Sequence, residues 1–264
     1  MSHPFGPEKS PDTNGGLFPH AHGTPRASKC SCEKMTRQQP VARSDSNAES
    51  ESKGEPRLPL VITLIIATLI PLLLPDALLP GPRWLFPVII CALMTAMLFL
   101  DPGRIDNRAR HLRWLRIGIA LSLAGSTTYA TIALAYVLVV GSAAITNSAG
   151  ELLRTGGLVW VALLITFAFV YWELDCGGPA ERAHAERRLP DLAFPQDLNP
   201  AVAPPGWRPT FVDYLYLGLT NNLAFSPTDV MPLAHWAKLI MGLQSIASLL
   251  IIGLVIARAV NIFR

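Results

Sequence analysis

The sequence predicts an all-α membrane protein, with about five transmembrane helices and a re-entrant half-helix before the last of them. Three observations carry that prediction. Half of the 264 residues are hydrophobic and only 16% are charged, and the mean hydropathy is +0.34 although a long polar N-terminal segment dilutes it. Apolar runs near the length needed to cross a bilayer recur from Leu58 to Phe263, each bounded by Pro, Gly or charge. Between the second and third runs, Asp101–Arg116 carries five arginines, Arg104, Arg108, Arg110, Arg113 and Arg116, which reads as a cytoplasmic loop under the positive-inside rule. The net charge of +3 is too small to argue for nucleic acid. The expected partner is the lipid bilayer, these arginines reading as a solvated basic surface with headgroup contact as the alternative, and the expected location is the plasma membrane, as a multi-pass protein.

Residues 1–57 read as a disordered polar tail, rich in Pro, Ser, Gly, Glu and Lys with Phe5 and Phe18 its few aromatics. Such a segment cannot bury enough apolar surface to offset its ordering entropy. It lacks the apolar core and small-residue cleavage site of a signal peptide, and Met35 offers an alternative start. His20, His22, Cys30 and Cys32 could hold a soft metal, but the cysteines are one residue apart and no turn signal frames them. No metal and no cofactor is expected. With Cys91 in an apolar run and Cys176 just after one, the four cysteines suggest no disulfide framework.

Residues 58–174 read as a four-helix transmembrane region. The first span runs from Leu58 to about Leu74, its end thinned by Pro71 and Pro75, and Leu79-Pro80-Gly81-Pro82 turns the chain. Trp84 stands where an interfacial aromatic belongs, and the second span continues to Leu100, stopped by Asp101-Pro102-Gly103. The third, Ile117–Val140, carries Ser122, Ser126, Thr127, Thr128 and Thr131, which suits close helix packing. Ser148-Ala149-Gly150-Glu151 has the capping-box pattern and starts the fourth, which ends at Trp172. Glu173 is a candidate intramembrane carboxylate, although at a helix end a solvated carboxylate is the commoner case. Residues 175–209 form a polar loop with seven prolines after Asp175 and no periodicity, of the kind that is functional or mobile.

Residues 210–264 carry most of the functional information. Thr210 followed by Asp213 marks a helix start. The apolar stretch Phe211–Leu219 reaches about half the hydrocarbon thickness before Thr220-Asn221-Asn222. Ser226-Pro227-Thr228-Asp229 breaks the helix, and Leu233–Phe263 gives a long final span. A half-length helix, a polar break and a full span form a re-entrant pattern. Backbone of this kind is tolerated at membrane depth only inside protein or along a water-filled cavity. The alternatives are an interfacial helix lying flat, or a sixth span over Phe211–Val230 that would put the C-terminus inside. With the arginine loop inside, a re-entrant segment enters from the cytoplasmic face.

Tyr214–Val260 resembles the pore helix, filter and inner helix of two-transmembrane potassium channels. Thr220 matches the Thr before the filter, Asp229 the Asp after it and Pro232 the Pro that follows. Leu223-Ala224-Phe225-Ser226-Pro227-Thr228 stands where the glycine-containing filter would be, so the resemblance implies a pore module with a degenerate filter and unknown selectivity. It implies a lining drawn from Thr220, Asn221, Asn222, Ala224, Phe225, Ser226, Thr228 and Asp229, with Pro227 and Pro232 shaping the turn. It also implies a homo-tetramer, because one loop cannot ring a pore. Gln244 and Ser248, spaced i and i+4 with Ser245 beside them, form a polar patch on the last helix that either lines the pore or bonds between helices. The alternative is a non-conducting transporter subunit or scaffold that keeps a pore-like fold. The strings NSAGELL, YWELD, PDLAFPQ, FVDYLYLG and AFSPTDVMP further resemble a family of multi-pass bacterial membrane proteins of actinobacterial type, to which no activity is attached.

No enzyme is expected, since HExxH, GxSxG and phosphate-cradling Gly-Lys-Ser/Thr patterns are absent from the sequence. His235 reads as an interfacial residue beside Trp236 rather than as a base. Under either functional reading, Ser226 or Thr228 should cap the final helix, with Asp229 close to its N-terminus and Pro232 in its first turn.

Overall fold

A computed structural model describes residues 55–100, 110–141, 148–184, 189–223 and 229–262. The predicted tail lies outside the described residues up to residue 54, including His20, His22, Cys30 and Cys32. The described chain is mostly helical. Helix α1 spans Leu58–Leu73, α2 Leu85–Leu100, α3 Arg110–Val140 and α4 Ala149–Leu174. Two short helices follow, α5 (Pro179–His184) and α6 (Pro195–Leu198), flanking the two-residue strand β1 (Leu192–Ala193). Helix α7 spans Phe211–Leu223, strand β2 is Met231–Pro232, and α8 runs from His235 to Ile262.

Three helices, α3, α4 and α8, are long and apolar enough to cross a membrane. Helices α1 and α2 are apolar but have 16 residues each, about 24 Å at 1.5 Å per residue. Pro71 explains where α1 gives out. It has no N–H for the Ala67 carbonyl, and Leu74 leaves the helix in an extended conformation. The hydroxyls of Thr63 and Thr68 donate to the carbonyls of Pro59 and Leu64 one turn back, so neither is left unsatisfied in an apolar helix. A 3-10 turn at Asp76–Leu78 and the exposed Arg83–Asp76 pair close the hairpin to α2.

The expected basic loop extends less far than Asp101–Arg116. Helix α3 starts at Arg110, so Arg110, Arg113 and Arg116 are helical. Helix α4 starts where its capping pattern places it, with the Ser148 hydroxyl accepting from the Glu151 N–H at 3.5 Å. It is the central helix, packing on α1, α3, α7 and α8. Two of these contacts are close because glycine permits it. A Cβ on Gly156 would sit 2.7 Å from Val255 Cγ2, and one on Gly218 would sit 3.1 Å from the Leu164 carbonyl oxygen.

The contacts fix the direction of the last two helices. Helix α7 starts against the C-terminal end of α4, with Phe211 stacked edge-on to Trp172. It continues past Ala168 at Gly218 and reaches Trp160, whose carbonyl accepts from Asn222 Nδ2. Helix α8 starts at the same end, where the N–H groups of Leu233 and Ala234 donate to the Asp191 carbonyl. It passes Asn221 and Asn222 at Gln244 and Ser248 and goes on to Gly156 and Gly141 at the far end. Helices α7 and α8 are therefore parallel, and α7 stops about halfway along. By Met231–Pro232 the chain is back at the starting end, paired antiparallel with Leu192–Ala193.

This overturns the expected start of the final helix. Pro232 lies in β2 rather than in a first turn, and α8 begins at His235. Asp229 is exposed, while Ser226 and Thr228 lie outside the described residues. The Asp191 carbonyl, not Asp229, satisfies the N–H groups of Leu233 and Ala234 that precede the helix.

Candidate functional site

The end of α7 is the chemically demanding point of the fold. The last four carbonyls of any helix lack intrahelical partners, and here they lie among buried side chains. Helix α8 supplies donors. Its buried stripe, Ala237, Met241, Gln244, Ser248, Ile251 and Val255, repeats at spacings of four and three, and this places two polar side chains among the apolar ones. The Ser245 hydroxyl donates to the Asn221 carbonyl at 3.3 Å and the Ser248 hydroxyl to the Asn222 carbonyl. One turn earlier, Gln244 Nε2 adds a second donor to the Gly218 carbonyl, at 2.9 Å.

Side chains complete the network. Gln244 Oε1 accepts from Tyr171 Oη at 2.6 Å and from Asn221 Nδ2 at 2.7 Å. Asn221 Nδ2 also reaches the Met241 carbonyl at 3.0 Å, and its Oδ1 accepts from Ser245 at 3.1 Å. Asn222 Nδ2 donates to the Trp160 carbonyl at 3.1 Å, and Trp160 Nε1 donates to Ser248 at 2.9 Å. The Thr220 hydroxyl bonds back to the Tyr216 and Leu217 carbonyls of its own helix. Asn222, Gln244 and Ser248 are wholly inaccessible. A satisfied network of this kind in a low-dielectric interior rigidifies and specifies a packing.

Thr220, Asn221, Asn222, Gln244, Ser245 and Ser248 are thus brought together, facing α4 and α8 of their own chain. The face of α7 left exposed is apolar: Val212, Tyr216, Leu219 and Leu223. Ala224, Phe225, Ser226, Pro227 and Thr228 lie outside the described residues. Asp229 stands exposed, Pro232 is half-buried in β2, and His235 is exposed at the head of α8.

A second cluster, which sequence reasoning missed, anchors the base of α7. Thr210 donates through both its N–H and its hydroxyl to Asp213 Oδ2, at 2.7 and 2.8 Å, the cap its spacing implies. Glu55, assigned to a free polar tail, reaches across the chain. Its carboxylate accepts from Trp172 Nε1 at 2.8 Å and from the Phe211 N–H at the start of α7. Burial pushes the Glu55 carboxyl above its ordinary value, against the opposing pull of those two donors and of Arg182.

Asp175 organises the rest of the base. Its Oδ2 accepts from Tyr214 Oη at 2.5 Å, and its Oδ1 from the N–H groups of Asp191 and Leu192. Asp191 Oδ2 in turn accepts from the Cys176 N–H at 3.0 Å. Arg182 donates to the Trp172 and Asp175 carbonyls and lies over the Tyr214 ring at 4.9 Å. The turn requires glycine. Gly178 has φ +104°, and a Cβ there would lie 3.1 Å from the Glu173 carbonyl oxygen. The segment expected to be a polar loop without periodicity carries buried residues, with Phe194 edge-on to Tyr214 and Trp207.

Glu173 is not solvated. Arg116 Nε donates to its Oε2 at 2.8 Å, and the two side chains are 5% and 2% exposed. The one signal for this pair was an Arg at the edge of one apolar run and a Glu at the edge of another, on helices that a short turn makes antiparallel. Among the described residues no group of His, Cys, Asp and Glu side chains is arranged to hold a metal ion. No protein-family model, curated protein or solved structure matches this chain.

Proposed function

We propose that this chain is a multi-pass plasma-membrane protein with five spans, α1–α4 and α8, in which α7 is a re-entrant half-helix of an ion-channel-like pore module assembled from several copies. The observation that carries this reading is the parallel course of α7 and α8. Helix α7 goes halfway along the bundle, and the chain is back at the starting end by Met231. Helices α1 and α2 fall a few ångströms short of the roughly 30 Å hydrocarbon core, a mismatch that local thinning accommodates. The arginines at the start of α3 put the base cluster on the cytoplasmic side.

In this reading the buried polar network is the support of the half-helix rather than the lining of the pathway. It is satisfied within one chain, which leaves Asp229 and the exposed face of α7 to meet other copies. The resemblance to two-transmembrane potassium channels points the same way, with tetramers as the expected assembly. Purified protein in liposomes should pass ions, cross-link as a tetramer, and change its flux on Asp229→Ala. Monomers alone, or no flux, would favour the second reading, a non-conducting transporter subunit or scaffold. That reading is supported by the complete internal satisfaction of Asn221, Asn222 and Gln244.

A further inference from the structure

The end of the bundle away from the base cluster carries a groove that the proposed function does not use. It lies between the C-terminal half of α1 and the N-terminal half of α4 and has a volume of about 510 Å³. Leu69 and Leu73 line one wall and Leu153 and Gly157 the other, and Trp160 also contributes to the lining. The groove exists for two reasons: α1 stops at Leu73 while α4 continues past it, and Gly157 has no side chain. A Cβ on Gly157 would meet nothing within 4 Å. Arg154, about half exposed, is the one charged residue of the lining.

The dimensions and charge match one kind of occupant. From Leu174 to Arg154 is 20 residues of helix, about 30 Å, one hydrocarbon thickness. That sets the Arg154 guanidinium at the headgroup level of the leaflet opposite the base cluster. From Arg154 to Val161 the groove descends about 10 Å, within the roughly 15 Å depth of one leaflet. Arg154 Nη2 is engaged by Glu151 Oε1 at 2.6 Å, and the rest of the guanidinium fork is left to meet a phosphate oxygen. Resting on the membrane reading above, we propose that this groove binds a phospholipid of the outer leaflet, one acyl chain lying along α1 and α4 and its phosphate held by Arg154.

Native mass spectrometry of protein released from bilayers separates the possibilities. The probes are dioleoyl phosphatidylglycerol and dioleoylglycerol, which share acyl chains and differ in the phosphate. Wild type should retain phosphatidylglycerol at least fivefold better than dioleoylglycerol. Gly157→Leu places a side chain in the groove from a position where a Cβ meets nothing within 4 Å, and should abolish retention. The matched variant Gly125→Leu, also in open space on α3, should leave it intact, and Arg154→Gln should lose the preference for the phosphate-bearing lipid. Equal retention of the two lipids by wild type, or undiminished retention by Gly157→Leu, overturns the proposal. So does a dimer that Gly157→Leu dissociates, which would make a second copy the occupant. None of these results depends on whether the protein conducts, and failure of the membrane reading would instead appear as a protein that stays in solution without detergent.

Discussion

Gln244→Leu tests the physical account of how a helix can stop inside the bundle. Gln244 is wholly buried and joins α4, α7 and α8 through four hydrogen bonds. Leucine of similar size keeps the packing but leaves Tyr171 Oη without its 2.6 Å acceptor and Asn221 Nδ2 without its 2.7 Å one. Interhelical hydrogen bonds in bilayers average about 0.6 kcal/mol and reach about 1.7, and an orphaned buried group costs about 1–3 kcal/mol. Asn221 retains the Met241 carbonyl and Gly218 its helical partner, so the loss should total about 2–4 kcal/mol. The assay is reversible unfolding in mixed micelles, with hydrogen exchange of the Leu217–Leu223 amides as a local readout. Tyr171→Phe should remove part of the same energy, so the double variant should be less destabilised than the two singles together, with a coupling of about 1 kcal/mol. A Gln244→Leu protein within 0.5 kcal/mol of wild type by the same titration, and additive with Tyr171→Phe, would refute the reasoning.

Three further outcomes follow from the packing. Gly156→Ala drives a methyl into Val255, whose Cγ2 would lie 2.7 Å away, and should cost about 1–3 kcal/mol; Val255→Ala should restore most of the loss in the same titration. Arg116→Leu strands the buried Glu173 carboxylate and should cost about 3–5 kcal/mol, whereas Arg116→Leu with Glu173→Leu should recover most of it. Glu55 gives a pH dependence of defined sign. Its folded value is raised above 4.5, so the folded state holds a proton that the unfolded state releases first. Its contribution is full below about 4.5 and is lost as pH rises through the folded value. Glu55→Gln should flatten that segment of the stability–pH curve.

Local chemistry made much of this fold legible. Helix α2 begins within one residue of Trp84 and ends at Leu100, because Pro-Gly punctuation and an interfacial Trp bracket an apolar run. The caps at Ser148 and Thr210 fall where short polar side chains precede an acidic residue three positions on. The polar triplet Thr220-Asn221-Asn222, expected to break the helix after Leu219, instead lies inside α7, which runs on to Leu223 because Gln244, Ser245 and Ser248 of α8 bond the triplet's polar groups. What escaped was long-range pairing. Asp175, Asp191 and Tyr214 are separated by 16 to 39 residues, and no local pattern announces that their polar atoms converge. Glu55 lies 156 residues from its partner Phe211. The inward orientation of Asn221 and Asn222 was partly readable. Gln244 and Ser248 share the spacing of Ala237, Met241, Ile251 and Val255, which puts them on the packed face of α8.

The central claim is that α7 enters the membrane and the chain returns to the same face. Single cysteines at Val212, Leu233 and Val260 test it in a background with all four native cysteines replaced, because these positions are 51%, 50% and 55% exposed. A membrane-impermeant maleimide applied to sealed vesicles of known orientation reports the side of each. The account predicts that Val212→Cys and Leu233→Cys react from one face and Val260→Cys from the other. Labelling of Val212→Cys and Leu233→Cys from opposite faces would mean that α7 spans the bilayer, and would contradict it.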